Sequence, residues 1–238
     1  MARYMSFFFT TAFMLQMPTI ACAEGFGINA TRLVYPEKDK SISVTVRNTM
    51  QDQPYLVQAS VSSQQDEAKP APFSVTPPLF RLEPNSINQI RIAFTGAALP
   101  KDRESIFYFQ ATGIPASISP MSPQQNAGVK GVVQFGIGNI IKLFYRPSGL
   151  VMTATEAQKN LLFRQVATGV EVVNNSPYFI NLAGFSVGGK KISLSKPDEL
   201  MLAPYTKHTY PSAQKQGAVE WMTINDIGGI DVHKANMP

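Results

Sequence analysis

Cysteine occurs once in these 238 residues, at Cys22. Downstream of it no disulfide is available, so stability has to come from a packed core, which two sandwich domains can supply. Histidine is nearly as scarce. His208 and His233 lie far apart, without carboxylate or cysteine neighbours at ligand spacing, so no zinc or iron site is expected, and no cofactor either. A glycine-rich phosphate loop is also missing. Charged residues make up only 16% of the chain, and the Lys and Arg side chains are scattered rather than blocked or interleaved with aromatics. That argues against a nucleic-acid partner. Beyond the first 23 residues no run approaches the ~18 consecutive apolar residues of a membrane span.

What is present is proline, glycine and short apolar runs. Eighteen prolines and sixteen glycines, with 44% hydrophobic residues, fit a globular strand-and-turn protein. The N-terminus reads as a secretory leader over residues 1–23: Arg3, an apolar stretch from Phe7 to Leu15, and a small-x-small end at Ala21-Cys22-Ala23. Cleavage after Ala23 would make Glu24 the first mature residue and place the protein in the periplasm. A competing reading lipidates Cys22, but Thr19 and Ile20 fit that pattern poorly. Without Arg3 the chain carries 20 basic against 16 acidic residues, a mild net charge of +4.

Alternating runs recur with turn residues between them. GFGINATRLVYP (25–36), SISVTVRN (41–48), YLVQASVSS (55–63), INQIRIAFTG (87–96) and ESIFYFQATGIP (104–115) each read as a strand. FSVTPPLFRLEP (73–84) is broken at Pro77-Pro78, as in an edge strand that bends or switches sheets. Seven such strands predict an immunoglobulin-like sandwich over 24–147. The pattern restarts after Arg146-Pro147-Ser148-Gly149, predicting a second β-sandwich over 148–238, held at a fixed angle by so short a linker. ASISPMSPQQNAGVKG (116–131), without periodicity, reads as a loop between the sixth and seventh strands of the first domain.

The seventh strand is the informative one. In VVQFGIGNIIKLFYRP (132–147), Val133, Phe135 and Ile137 alternate with Gln134, Gly136 and Gly138, so one face is apolar. From Ile140 to Tyr145 the strand reads as buried on both sides, except for Lys142. A lone cation in a strand usually faces solvent. Flanked by Ile140, Ile141, Leu143 and Phe144, however, this one fits a partly buried site that needs an anion, either an internal carboxylate or one brought by a partner. Arg32, read at the end of the first strand, raises the same question. Gly184-Phe185-Ser186-Val187-Gly188 has the letters of a nucleophile elbow, but hairpin signals surround it and no helix follows, so it reads as a strand ending in a glycine turn.

Five motifs carry a resemblance. Thr31-Arg32-Leu33-Val34-Tyr35, Thr76-Pro77-Pro78-Leu79-Phe80-Arg81-Leu82, Asp102-Arg103-Glu104-Ser105, Ile141-Lys142-Leu143-Phe144-Tyr145-Arg146-Pro147 and Asn225-Asp226-Ile227-Gly228-Gly229 occur in the order and spacing of one family. In them the chain resembles the periplasmic pilus (fimbrial) chaperones of the chaperone–usher pathway. The long connection from Pro115 to Ile141 resembles the long-loop branch, although the cysteine pair that flanks that loop is missing and Ile227 stands where the family has tyrosine.

The resemblance implies two immunoglobulin-like domains and a function without catalysis. The chaperone would bind, fold and cap fimbrial subunits that lack a strand, then deliver them to an outer-membrane usher. Val133, Phe135 and Ile137, with Val129 ahead of them, would fill the subunit's groove. Arg32 and Lys142 would hold its terminal carboxylate. Glu104, Arg146 and Asp226 would form a structural triad between the domains. A bulge or twist near Gly138-Asn139 would reconcile the odd-numbered donor residues with the even-numbered Lys142. Unbound, the apolar strands 25–36 or 129–141 would favour self-association. The rival expectations are a secreted two-domain adhesin or fimbrial structural component, which gives Arg32 and Lys142 no shared task, and a hydrolase using Ser186.

Overall fold

A computed structural model describes residues 24–67, 69–116 and 135–237. The predicted leader, Val129, Val133 and most of the long connection lie outside these residues. The first sandwich contains β1 (Phe26–Ile28), β2 (Arg32–Pro36), β3 (Ile42–Asn48), β4 (Tyr55–Ser62), β5 (Phe73–Thr76), β6 (Leu79–Leu82), β7 (Ser86–Phe94), β8 (Ser105–Pro115) and β9 (Ile137–Arg146). One sheet has the order β1-β3-β7-β5 and the other β2-β9-β8-β4-β6. Alternation produces this layering. Val44, Val46, Val57, Ala59, Ile90 and Ile92 turn inward with Tyr35, Phe107, Phe109 and Tyr145 to form a single core.

Two segments change sheets. The Pro77-Pro78 break works as expected: β5 pairs with β7 in one sheet and β6 with β4 in the other. The stretch 25–36 is not one strand. It splits at Asn29–Thr31, so that β1 pairs antiparallel with β3 while β2 crosses to pair in parallel with β9. Arg32 therefore opens a strand instead of ending one.

The second sandwich begins with α1 (Ala154–Lys159) and continues through β10 (Leu162–Val166), β11 (Gly169–Val173), β12 (Ile180–Val187), β13 (Lys190–Ile192), α2 (Pro197–Leu200), β14 (Met201–Leu202), β15 (Lys207–Pro211), β16 (Ala218–Ile224) and β17 (Ile230–Asn236). A β10-β11-β15 sheet faces a β13-β12-β16-β17 sheet, and Trp221, Phe163, Phe185 and Tyr210 fill the space between them. The strand alternation did not reveal α1. Its signal is the capping box of Thr153 and Glu156, in which each side chain bonds the other residue's backbone N–H. Ser186 sits within β12, and a glycine hairpin at Gly188-Gly189 follows it, so the strand-to-helix turn of a nucleophile elbow is not formed.

Candidate functional site

β9 serves two faces. Its register with β8 runs unbroken from Ile137 opposite Gly113 to Tyr145 opposite Ser105. Of the bulge or twist expected near Gly138-Asn139, the bulge is therefore not there. Odd residues face inward: Leu143 and Tyr145 lie in the core and Ile141 packs against it. Even residues Lys142 and Phe144 face the second domain, where the Phe144 ring meets that of Phe179 at 5.7 Å. Two surfaces can share one strand because its side chains alternate.

Towards its N-terminal end β9 outruns its cover. β2 pairs only with Lys142–Arg146, so among the described residues Ile137–Ile141 has β8 on one side and an open edge on the other. Phe135 is 80% exposed, Ile137 42% and Ile140 48%. Burial on both faces thus begins only at Leu143, later than the apolar run implied. An unpaired backbone edge beside exposed apolar side chains is a template for one more strand.

Just past this edge lie the two cations. The parallel register sets Arg32 directly beside Lys142. The second domain supplies the opposite wall of the cleft: Arg32 Nη1 donates to the Ile224 carbonyl at 3.0 Å, and Lys142 Nζ donates to Asn181 Oδ1 at 2.8 Å. Arg32 Nε is buried without a partner. No carboxylate among the described residues reaches ion-pair distance of either cation, so the internal partner envisaged for Lys142 is not found. Burial pulls both groups below their ordinary basicity, Lys142 further through the Arg32 charge, while Asp226 partly offsets the effect at Arg32. Two half-dehydrated positive groups side by side favour an anion near them.

The triad residues come together beneath this cleft. Arg146 Nε donates to Glu104 Oε1 at 2.7 Å, and its Nη1 and Nη2 grip Asp226 Oδ2 and Oδ1 at 2.7 and 2.9 Å. Glu104 also ties the domains through the backbone. Its Oε2 accepts from Phe179 N–H at 2.9 Å, and its own N–H donates to the Pro177 carbonyl. Arg146 lies over the Tyr178 ring, 5.0 Å from its centroid. Only 4% of Glu104 is exposed. Burial raises its pKa despite Arg146 and the Phe179 N–H. Burial alone would lower Arg146, but its bonds and charges with Asp226 and Glu104 raise it instead. The Asp226 turn seats against β2, because Gly228 (φ +86°) passes so close to Thr31 Oγ1 that a β-carbon would clash. Ile227 is 92% exposed.

Residues 25–151 match the family of the pili and flagellar-assembly chaperone, PapD N-terminal domain, and residues 156–235 the pili assembly chaperone PapD, C-terminal domain. The chain belongs to the pilus-assembly chaperone family. Among its relatives is the probable fimbrial chaperone protein ElfD of Escherichia coli K12, 38% identical over 206 residues, a span of 86% of this chain and 83% of ElfD. The E. coli chaperone DraB superposes with a TM-score of 0.73 at 33% identity, covering 90% of this chain and 97% of DraB. A chain from the complex of Salmonella enterica SafA pilin with the SafB chaperone gives a TM-score of 0.73 at 30% identity, covering 91% of this chain and 98% of that one. Membership in this family accounts for the two-sandwich fold. Asn181, Phe179 and Tyr178, which complete the cleft, escaped the strand pattern. The stretch PYFINLAGF carries no local sign that Asn181 is buried against a cation.

Proposed function

We propose that this chaperone acts in the periplasm, reached through the leader over 1–23. There it holds a fimbrial subunit that lacks a strand, fills the gap with its own β9 edge, and passes the subunit to an outer-membrane usher. Phe135 and Ile137, continued by Val133, enter the subunit's groove. Arg32 and Lys142 bind its terminal carboxylate, which fixes the register of the added strand. The observation that carries this reading is the pair of half-buried cations, without a carboxylate partner among the described residues, standing where the open edge of β9 begins. The complex of SafA pilin with the SafB chaperone supports a subunit as the guest.

Each apolar side chain seated in the groove contributes roughly 1.5–3 kcal/mol before ordering costs. Co-expression with a candidate fimbrial subunit tests this. Phe135→Glu and Ile137→Glu should each lower subunit recovery at least about tenfold, given that each 1.4 kcal/mol is a factor of ten, while leaving the chaperone folded. Undiminished recovery with both variants, or the protein itself found in purified surface fibres, would speak for the adhesin alternative. Without a guest the open edge is also a pairing site for a second copy. Dimers should therefore form at high concentration, and Ile137→Lys should disperse them in sedimentation velocity. A strict monomer at every concentration refutes that expectation.

A further inference from the structure

Asn181 belongs to β12 of the second domain and lines the interdomain cleft together with Arg32, Ile224 and Asp226. It is buried, and its Oδ1 accepts the hydrogen bond from Lys142 Nζ at 2.8 Å. The chemistry of the pair fixes how the amide is turned. An ammonium offers only donors, so the amide oxygen has to face it and the NH2 group points away. Among the described residues that NH2 group donates to no acceptor. Arg32 Nε is a second unused donor on the same cleft, buried and without a partner. Three separate strands, β2, β9 and β12, thus bring unspent N–H groups to one place. Among the described residues, Arg32 and Lys142 bond there only to the neutral oxygens of Ile224 and Asn181.

A lysine side chain has many rotamers, so its ammonium takes up a fixed position only when something pins it. Asn181 does so without neutralising it. We propose that Asn181 is the third member of the carboxylate receptor. Its oxygen positions the Lys142 ammonium, and its NH2 group donates to the arriving carboxylate, so that the second domain takes part in recognising the guest's terminus. The proposal rests on the reading of Arg32 and Lys142 as a carboxylate site and adds a residue to it. The neutrality of residue 181 is the essential property. An aspartate there would pair with Lys142 from within and leave the guest's carboxylate facing an occupied site.

The test uses the mature full-length chain and two probes. One is an N-terminally labelled peptide of alternating valine and threonine with a free C-terminal carboxylate; the other is the same peptide ending in an amide. Binding is read by fluorescence anisotropy, and the quantity of interest is the preference for carboxylate over amide. Asn181→Ala should lower that preference about tenfold while barely changing amide binding. Asn181→Ser, whose hydroxyl both accepts and donates, should restore part of it. Asn181→Asp should abolish it. Equal weakening of both peptides by Asn181→Ala would mean that the residue only supports the fold, and an unchanged preference in Asn181→Ala and Asn181→Ser would remove it from the receptor. In either case the Arg32 and Lys142 reading survives. A wild-type protein that binds both peptides equally overturns that reading, and the role of Asn181 with it.

Discussion

Arg146→Ala should lower the unfolding free energy by about 3–5 kcal/mol, the usual cost of removing one partner from a buried ion pair. The loss comes mainly from Glu104. Arg146 bonds it at 2.7 Å, and without the guanidinium the Phe179 N–H at 2.9 Å is the only remaining hydrogen bond to its side chain among the described residues. The Asp226 arm counts for less, since that carboxylate is about half exposed and exposed pairs contribute ~0–1 kcal/mol. The effect should depend on pH. Burial already holds the Glu104 pKa above its unfolded value, so the ionised carboxylate opposes folding and protonation relieves it. Removing Arg146 raises that pKa further. The gap between variant and wild type should therefore be full near neutral pH and narrow as the pH falls through the raised value. Urea melts at several pH values measure this directly, and Glu104→Gln, which keeps the shape without the charge, should cost much less than Arg146→Ala. A change below about 0.5 kcal/mol, the scatter of ordinary surface substitutions, would mean the triad is a solvated contact with no hold on the domain angle.

How far such features can be read without coordinates depends on the range of the interaction. Period-two alternation is local, and it located β3, β4 and β7 and the sheet switch at Pro77-Pro78. The switch at Asn29–Thr31 has no proline to announce it and shows only in the two pairings of β1 and β2. β17 is harder to read, because its outward residues Ile230, Val232 and Lys234 mix apolar and charged types, which blurs the alternation. The triad spans 42 and 80 residues of sequence separation, so no local pattern joins it, and the family motifs alone brought its members together. The parity of β9 was the instructive miss. Ile137 and Lys142 differ in parity: Ile137 shares the side of the core residues Leu143 and Tyr145, and Lys142 turns to the second domain. A bulge would have turned them to the same face, and the unbroken register with β8 excludes one.

Arg32→Ala and Lys142→Ala should each weaken subunit binding by about 2–5 kcal/mol, the range for truncating one member of a buried charged contact. That is a loss of roughly 30- to 4,000-fold, at a factor of ten per 1.4 kcal/mol. Both cations would address the same carboxylate, so the double variant should lose much less than the sum of the two. The free chaperone should behave differently, losing no more than about 1 kcal/mol with either substitution, since each costs one bond to a neutral acceptor and relieves a dehydrated charge. Loss of binding without loss of stability separates a receptor from a structural contact. The Lys142 amine gives an independent readout. Burial and the Arg32 charge hold its pKa down in the free protein, and a carboxylate placed between the two cations adds the opposite charge and must raise it. Binding therefore takes up protons once the pH exceeds the free-state value, and affinity should fall as the pH climbs through it, a titration that 15N-labelled lysine makes visible by NMR. A Lys142 pKa unmoved by the guest, together with subunit recovery unchanged in Lys142→Ala, would leave the cleft cations with no part in recognition.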